Sequence, residues 1–308
     1  MSSIKNSEIL LLYDVKLANP NGDPDDENRP RIDPKNKTNL VTDVRLKRFF
    51  RDYVIAKYGE EHIWVSKQNG KNVDATERLD FFRNTDKVLE KAIDVRLFGA
   101  TIPKKKGEKE SRGESYSYIG PLQFAWGYSL HKVDMVDTRS ITSILSGRVS
   151  EEGKSYQNIG KDYRVYYSLI AFYGALNKYR ASAVNCKEND VKIFDNFMWE
   201  ALKTESITRS KIGHYPHLYL RVELDDEESY MGDLRRFISV KQKEESIRKF
   251  EDLELDFSKL LEVIKKHKVY VYCSDEINGL FCDKLDKEYS IFLPHKEVDL
   301  SDLKHIGV

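Results

Sequence analysis

Four cations fall within seven residues, at Arg45, Lys47, Arg48 and Arg51. They follow a segment dense in amides, carboxylates and prolines that runs from Asn19 to Arg31. Cationic side chains beside neutral hydrogen-bond donors suit a phosphate backbone. The cations release counterions, and the amides and hydroxyls position the strand without reading its letters. A second basic run, Lys104 to Arg112, carries five positive charges against two negative. Runs of that kind usually form a solvated loop. The chain as a whole is neutral, with 51 basic and 51 acidic residues. That excludes a globally basic nucleic-acid coat and leaves room for a local groove.

Other constellations fall short of known chemistry. Five residues lie between Gly147 and Gly153-Lys154-Ser155, whereas a phosphate-binding loop needs four between its glycines, because the spacing decides which N–H groups face the phosphates. Asp23, Asp25 and Asp26 begin like a calcium loop. Its sixth position holds Asn28 instead of glycine, and its twelfth holds Pro34 instead of glutamate. His214 and His217 flank Pro216 without a third metal ligand. Neither a G-x-S-x-G elbow nor an HExxH pair occurs. The residues therefore assign no catalytic group, metal or cofactor.

These side chains need elements to position them. Ile9 to Val15 is apolar and partly alternating, which predicts a central strand. The Asn19–Arg31 segment holds three prolines and one glycine and reads as an ordered loop. Thr42 caps a helix in which Leu46, Phe49, Phe50, Tyr53 and Val54 share one face. At 100° per residue Lys47, Arg48 and Arg51 fall opposite, on the face expected to meet solvent. On that reading, charge reversal at Lys47 and Arg48 leaves the monomer's folding little changed. Arg78 to Phe98 reads as helix, with Leu79, Phe82, Val88, Leu89 and Ile93 apolar.

Strands are expected over Pro121–Val133, Tyr163–Leu176 and Tyr215–Leu224, the last ending in an acidic turn at Asp225–Glu228. Val191, Phe194, Phe197, Met198, Ala201 and Leu202 mark a second amphipathic helix. The order is βαββαβ, an α+β unit of the ferredoxin-like or RRM-like kind. Two helices cover one face of such a sheet and the other face is expected to stay open. No stretch matches the usual RNP1 motif, so loops and the basic helix would do the binding. Residues 230 to 308 form a C-terminal extension of charged helical segments with a strand at Lys268–Cys273, packed on the same domain.

Composition agrees with a folded chain. Of its 308 residues, 40% are apolar, 11% aromatic and 33% charged, and the mean hydropathy is −0.60. The aromatic content is too high for disorder. Cys186, Cys273 and Cys282 lack metal spacing and read as reduced thiols. No apolar run approaches a membrane span, and Met1–Ile9 has no secretory core, so the expected location is cytoplasmic.

The ordered motifs carry a resemblance. Asn19-Pro20-Asn21-Gly22-Asp23-Pro24-Asp25, then Pro30-Arg31-Ile32-Asp33, then Val41-Thr42-Asp43-Val44-Arg45-Leu46-Lys47-Arg48 resemble the repeated backbone subunit of type I CRISPR interference (Cascade) complexes, subtype I-B-like. Shorter matches follow at Arg96–Gly99, Gly120–Phe124, Ile141–Ser143 and Gly160–Tyr163. The resemblance implies a hand-like molecule. Its palm would be 8–58, 119–135 and 161–224, with a finger-like insertion at about 59–118 and a thumb-like one at about 136–160.

Such subunits polymerise along CRISPR RNA and leave its bases free to pair with target DNA. The implied partners are CRISPR RNA, target DNA, further copies of the chain, and the cap, large and RNA-processing subunits, with no membrane. The implied RNA contacts are Asn19, Asn21, Arg31, Thr42, Lys47 and Arg48, then Gln123, Thr142, Ser143 and Lys161. Arg51, Arg148 and Lys104 to Lys106 are added on charge alone. The alternative is a metal-dependent target-RNA endonuclease subunit of type III character, using Asp23, Asp25 or Asp26.

Overall fold

The computed structural model describes residues 4–68, 70–104, 114–137, 140–143, 158–204, 211–225 and 230–293, with backbone alone at 140–143 and 158–160. Strand β1 (Ser7–Ala18) lies at its centre, hydrogen-bonded along its length to β9 (Val165–Leu176) and β10 (His214–Glu223), both antiparallel. The preceding elements are β2 (Thr38–Val41), α1 (Asp43–Tyr58), α2 (Ala75–Phe82), α3 (Thr85–Lys91) and α4 (Ile93–Phe98). Then come the ribbon β3–β4 (Gly99–Pro103, Ser115–Ile119), β5 (Leu122–Phe124), β6 (Gly127–Ser129) and the ribbon β7–β8 (Ser140–Ser143, Asn158–Lys161). Helix α5 (Glu188–Thr204) joins β9 to β10, and β11 (Val269–Cys273) and β12 (Ser290–Phe292) complete the far edge. Across the large mixed sheet the order is β12-β11-β10-β1-β9-β6-β2, with the two-residue strand Ile32–Asp33 at the edge beyond β2 and β5 also on β9.

β1 is apolar on both sides. Ile9, Leu11, Tyr13 and Val15 point into a core shared with α1 and α5, where Phe50 meets Phe98, Phe194 and Phe197. Leu10 and Leu12 point the other way. The expectation of an open face is therefore corrected. Leu234, Leu253, Leu255, Phe257, Leu260 and Phe281 from the C-terminal stretch cover it. Their spacing carries the reason: Leu253, Leu255 and Phe257 alternate, and Leu260 and Ile264 are one helical turn apart, but charged neighbours dilute the pattern. Glu8 anchors the start of this cover, accepting from the backbone N–H groups of Met231 (3.0 Å) and Gly232 (2.8 Å).

Two further readings change. The single helix expected over Arg78–Phe98 is three, because Arg83 adopts a left-handed φ of 76° and the Asn84 side chain caps α3 at the Lys87 N–H, 2.9 Å away. Of the three cysteines, Cys273 and Cys282 are joined in a disulfide and only Cys186 is a free, buried thiol. The fold brings the end of β11 to the 282 turn, with Cα atoms 6.5 Å apart, which a nine-residue separation does not announce. Residues 226–229 of the expected acidic turn lie outside the described residues.

Buried ion pairs join these pieces. Arg96 forks onto Asp190 (3.0 and 2.8 Å), tying the insertion to α5. Arg221 on β10 forks onto Asp195 on α5, which also accepts from the Tyr219 hydroxyl at 2.6 Å. Asp195→Ala removes the fork from a buried guanidinium, leaving it Glu223 (3.1 Å), and strands the Tyr219 hydroxyl, so it should lower unfolding free energy by about 2–4 kcal/mol in a denaturant titration.

Candidate nucleic-acid interface

Where β1 ends, the loop from Asn19 to Arg31 folds back against the start of α1. Asn21 supplies the joint: its Oδ1 accepts from the Thr42 N–H and the Thr42 hydroxyl, both at 2.9 Å. Thr42 in turn caps α1 through the Arg45 N–H (3.3 Å). Buried Asn19 donates to the Asn28 carbonyl (2.8 Å). Gly22 is required here, since a Cβ would lie 2.7 Å from the Asn28 carbonyl oxygen. The turn closes with the Asn28 N–H on the Asp23 carbonyl (2.7 Å) and places Glu27 and Asn28 at φ 49° and 63°.

The cations of α1 divide differently from the helical-wheel expectation. Lys47 is buried, donating to Asp43 (2.9 Å) and Gln123 (3.2 Å) above the Phe98 ring. Arg51 is buried too, with its Nε on Asp94 (2.8 Å), a carboxylate that also accepts from the Trp64 and Val65 N–H groups. The solvent-face reading is thus corrected for both. The α2–α4 insertion covers that side of α1, which an isolated wheel cannot represent. Arg48 remains exposed and pairs with Asp52 (2.6 Å).

Arg45 is the cation left over. Its guanidinium sits 4.0 Å over the Phe49 ring, with no hydrogen bond or ion pair among the described residues. Burial lowers its pKa, against smaller opposing effects of Tyr13 and Asp52. Lys211 and His214 lie close by. Lys211 donates to the Asn19 and Pro20 carbonyls, holding the loop, and burial followed by the Arg45 charge pushes its pKa down to about 7. His214 stacks on Tyr13, meets Phe49 edge-on and bonds the Lys211 carbonyl. Gly213, at φ 106°, lets this corner approach the Lys16 backbone. The result is a partly desolvated notch beside the loop, in which Arg45 carries the standing positive charge while burial holds Lys211 and His214 toward their neutral forms, and which an anionic oxygen would complete.

The remaining residues flank the notch or lie apart. Arg31 pairs with Asp23 (2.9 Å) and its N–H reaches the Asn21 carbonyl. Gln123 is exposed, with its amide on the Phe98 and Gly120 carbonyls. Lys161 grips Glu27. Thr142 and Ser143 are placed by backbone only, on β7, and Arg148 and Lys105–Arg112 lie outside the described residues. Asp23 is taken by Arg31, and Asp25 and Asp26 are exposed. Among the described residues no group of three or more His, Cys, Asp or Glu side chains is arranged to hold a metal ion, and no helix is long and apolar enough to cross a membrane. Lys211 gave no signal in the sequence, being 192 residues from the Asn19 carbonyl it contacts, and His214 was noted only as half of a histidine pair without a third metal ligand.

The α+β scaffold has counterparts among known proteins. The chain belongs to the Cas7 family: a family profile described as CRISPR-associated protein Cas7 matches residues 5–258. A Haloferax volcanii protein described as CRISPR-associated protein Cas7 is 31% identical over 291 residues, spanning 86% of this chain and 84% of that one. Among solved structures, a chain of a CRISPR RNA-guided surveillance complex has a TM-score of 0.51 at 13% identity, covering 98% of both chains, a likeness of fold.

Two predictions follow from the geometry. Lys47→Glu sets a carboxylate beside Asp43 in a buried place and should cost about 2–4 kcal/mol of stability. Arg48→Glu should cost less than about 1 kcal/mol, so chemical denaturation of the single variants separates the two. The second concerns acid. Burial holds His214 down to about 3 from an ordinary 6.5. The unfolded chain takes up that proton first, so the stability due to His214 is intact above 6.5 and is lost as pH falls toward 3. His214→Phe keeps the ring contacts and removes the titration. Its urea midpoint should fall less steeply than the parent's between about pH 6.5 and 4.

Proposed function

We propose that this chain is the repeated, RNA-binding backbone subunit of a CRISPR RNA-guided surveillance (Cascade) complex of subtype I-B character. It polymerises along CRISPR RNA, presents the guide for pairing with target DNA and is itself non-catalytic. Its partners are the guide, target DNA, further copies and the cap, large and RNA-processing subunits, in the cytoplasm. The observation that carries this reading is membership of the Cas7 family across residues 5–258.

The strand order β10-β1-β9-β5/β6, with α1 and α5 packed on one face, supports a ferredoxin-like, RRM-like palm. The α2–α4 helices with ribbon β3–β4 then form the finger-like insertion and ribbon β7–β8 the thumb-like one. In this arrangement Asn19, Asn21 and Thr42 shape the groove. Arg45, Arg48, Arg31 and Lys161 supply charge for phosphates, and Lys47, Arg51 and Gln123 hold α1 against the insertion. Thr142, Ser143 and Arg148 belong to the thumb-like stretch, and Lys104 to the foot of the finger ribbon.

The test is co-expression with the partner subunits and a guide, followed by purification and RNA quantification. The parent chain should retain guide RNA, and Arg45→Gln, which removes the charge without burying a new one, should reduce the retained RNA several-fold with little change in melting temperature. A parent complex free of nucleic acid would overturn the reading. A variant that keeps full RNA would remove Arg45 from the groove.

A further inference from the structure

Between the Asn19–Arg31 loop and the foot of ribbon β7–β8, two donors converge on one carboxylate, with the Arg29 guanidinium standing beside it and shared with Asp26 at 3.6 Å. Lys161 Nζ donates to both oxygens of Glu27, at 2.6 and 2.9 Å. The Tyr163 hydroxyl donates to Oε2 at 2.5 Å. The Arg29 guanidinium stands 3.7 Å from that same oxygen, lies 4.8 Å over the Tyr163 ring and donates to its hydroxyl at 3.4 Å. A lysine, an arginine and a hydroxyl around two geminal oxygens form a donor set that suits a phosphodiester as well as a carboxylate.

The backbone is bent to deliver this group. Glu27 and Asn28 are consecutive non-glycine residues in the left-handed region, a conformation that persists only where its surroundings impose it. Here Asp26 and Asn28 both donate to the Asp23 carbonyl, Arg29 donates to the Asp26 carbonyl, and Asn19 holds the Asn28 carbonyl. The contact is nevertheless exposed: the Lys161 and Glu27 side chains are 55% and 50% accessible. Ion pairs in such surroundings are weak and exchange readily for another anion. This sets them apart from the buried pairs Arg51–Asp94 and Arg96–Asp190, which cannot open without unpacking the core.

We propose that Glu27 is an internal phosphate mimic, filling an anion site made by Arg29, Lys161 and the Tyr163 hydroxyl until a phosphodiester of bound RNA replaces it. The inference rests on the RNA-binding reading above and adds a competitor to it. While Glu27 is in place, the loop is tied to the foot of the ribbon. When RNA displaces it, that tie is released. The carboxylate contributes to a population shift because the tied state has no affinity at this site for phosphate.

The experiment measures binding of fluorescein-labelled oligouridine to the purified full chain by anisotropy at low salt. Glu27→Gln should bind about two- to fivefold tighter than the parent, with an unchanged melting temperature. Asp25→Asn, an equal charge change on the same loop away from Lys161, should gain clearly less. In a Lys161→Ala background, Glu27→Gln should lose most of its gain. Glu27→Ala repeats the measurement with a different side chain. If the parent binds oligouridine and Glu27→Gln is equal or weaker, or Asp25→Asn gains as much, the mimic is overturned and the RNA-binding reading stands. If neither parent nor variant binds, both are overturned.

Discussion

Everything of functional interest hangs from a strand that is apolar on both faces and paired on both edges. β1 has no solvent side: helices α1 and α5 press on one face and the C-terminal stretch on the other. Its two antiparallel neighbours hold its register along most of its length. Pairing on both edges, together with the different shapes of the two cores it fills, holds that register. The loop that leaves at Ala18 therefore starts from an immovable point, and the Asn21–Thr42 bonds return it to the start of α1. The notch at Arg45 inherits its geometry from these constraints.

Charge in this neutral chain is sorted by burial. Most arginines of the core are matched to carboxylates or carbonyls: Arg51 to Asp94, Arg96 to Asp190, Arg221 to Asp195, Arg78 to the Glu60 and Ile63 carbonyls. Removing a charge from water demands such a partner. Arg45 departs from the pattern, half-buried on an aromatic ring beside Lys211 and His214, both held toward their neutral forms by burial. A site short of negative charge in a chain otherwise balanced is the physical basis for reading the notch as a place for an incoming anion. The Glu27 contact is the converse, a cationic fork already occupied by the chain's own carboxylate.

The C-terminal stretch alters how the sheet can be used. An exposed sheet face would offer stacking aromatics to RNA. Here that face is closed by Leu253, Leu255, Phe257 and Phe281. Under the function proposed above, RNA would be left to the loops, helix starts and ribbons around the sheet's rim, which suits backbone contact better than base reading.

Local pattern alone determined much of this molecule. Short apolar and aromatic runs located β1, β9 and β10; the apolar faces of α1 and α5 were legible residue by residue; and Asn, Gly and Pro marked the loop and Thr42 the cap. Those signals reside in neighbours along the chain, where periodicity and turn chemistry act. Tertiary structure decided which cations face outward. Lys47 and Arg51 turn inward because Asp94 and Gln123, from distant segments, arrive beside them, and Lys211 reaches the loop only because β1 and β10 pair. It also decided that Cys273 meets Cys282 and that the charged tail covers a sheet. Desolvation and pairing depend on what surrounds a side chain in space, and neither a helical wheel nor a composition count contains that information.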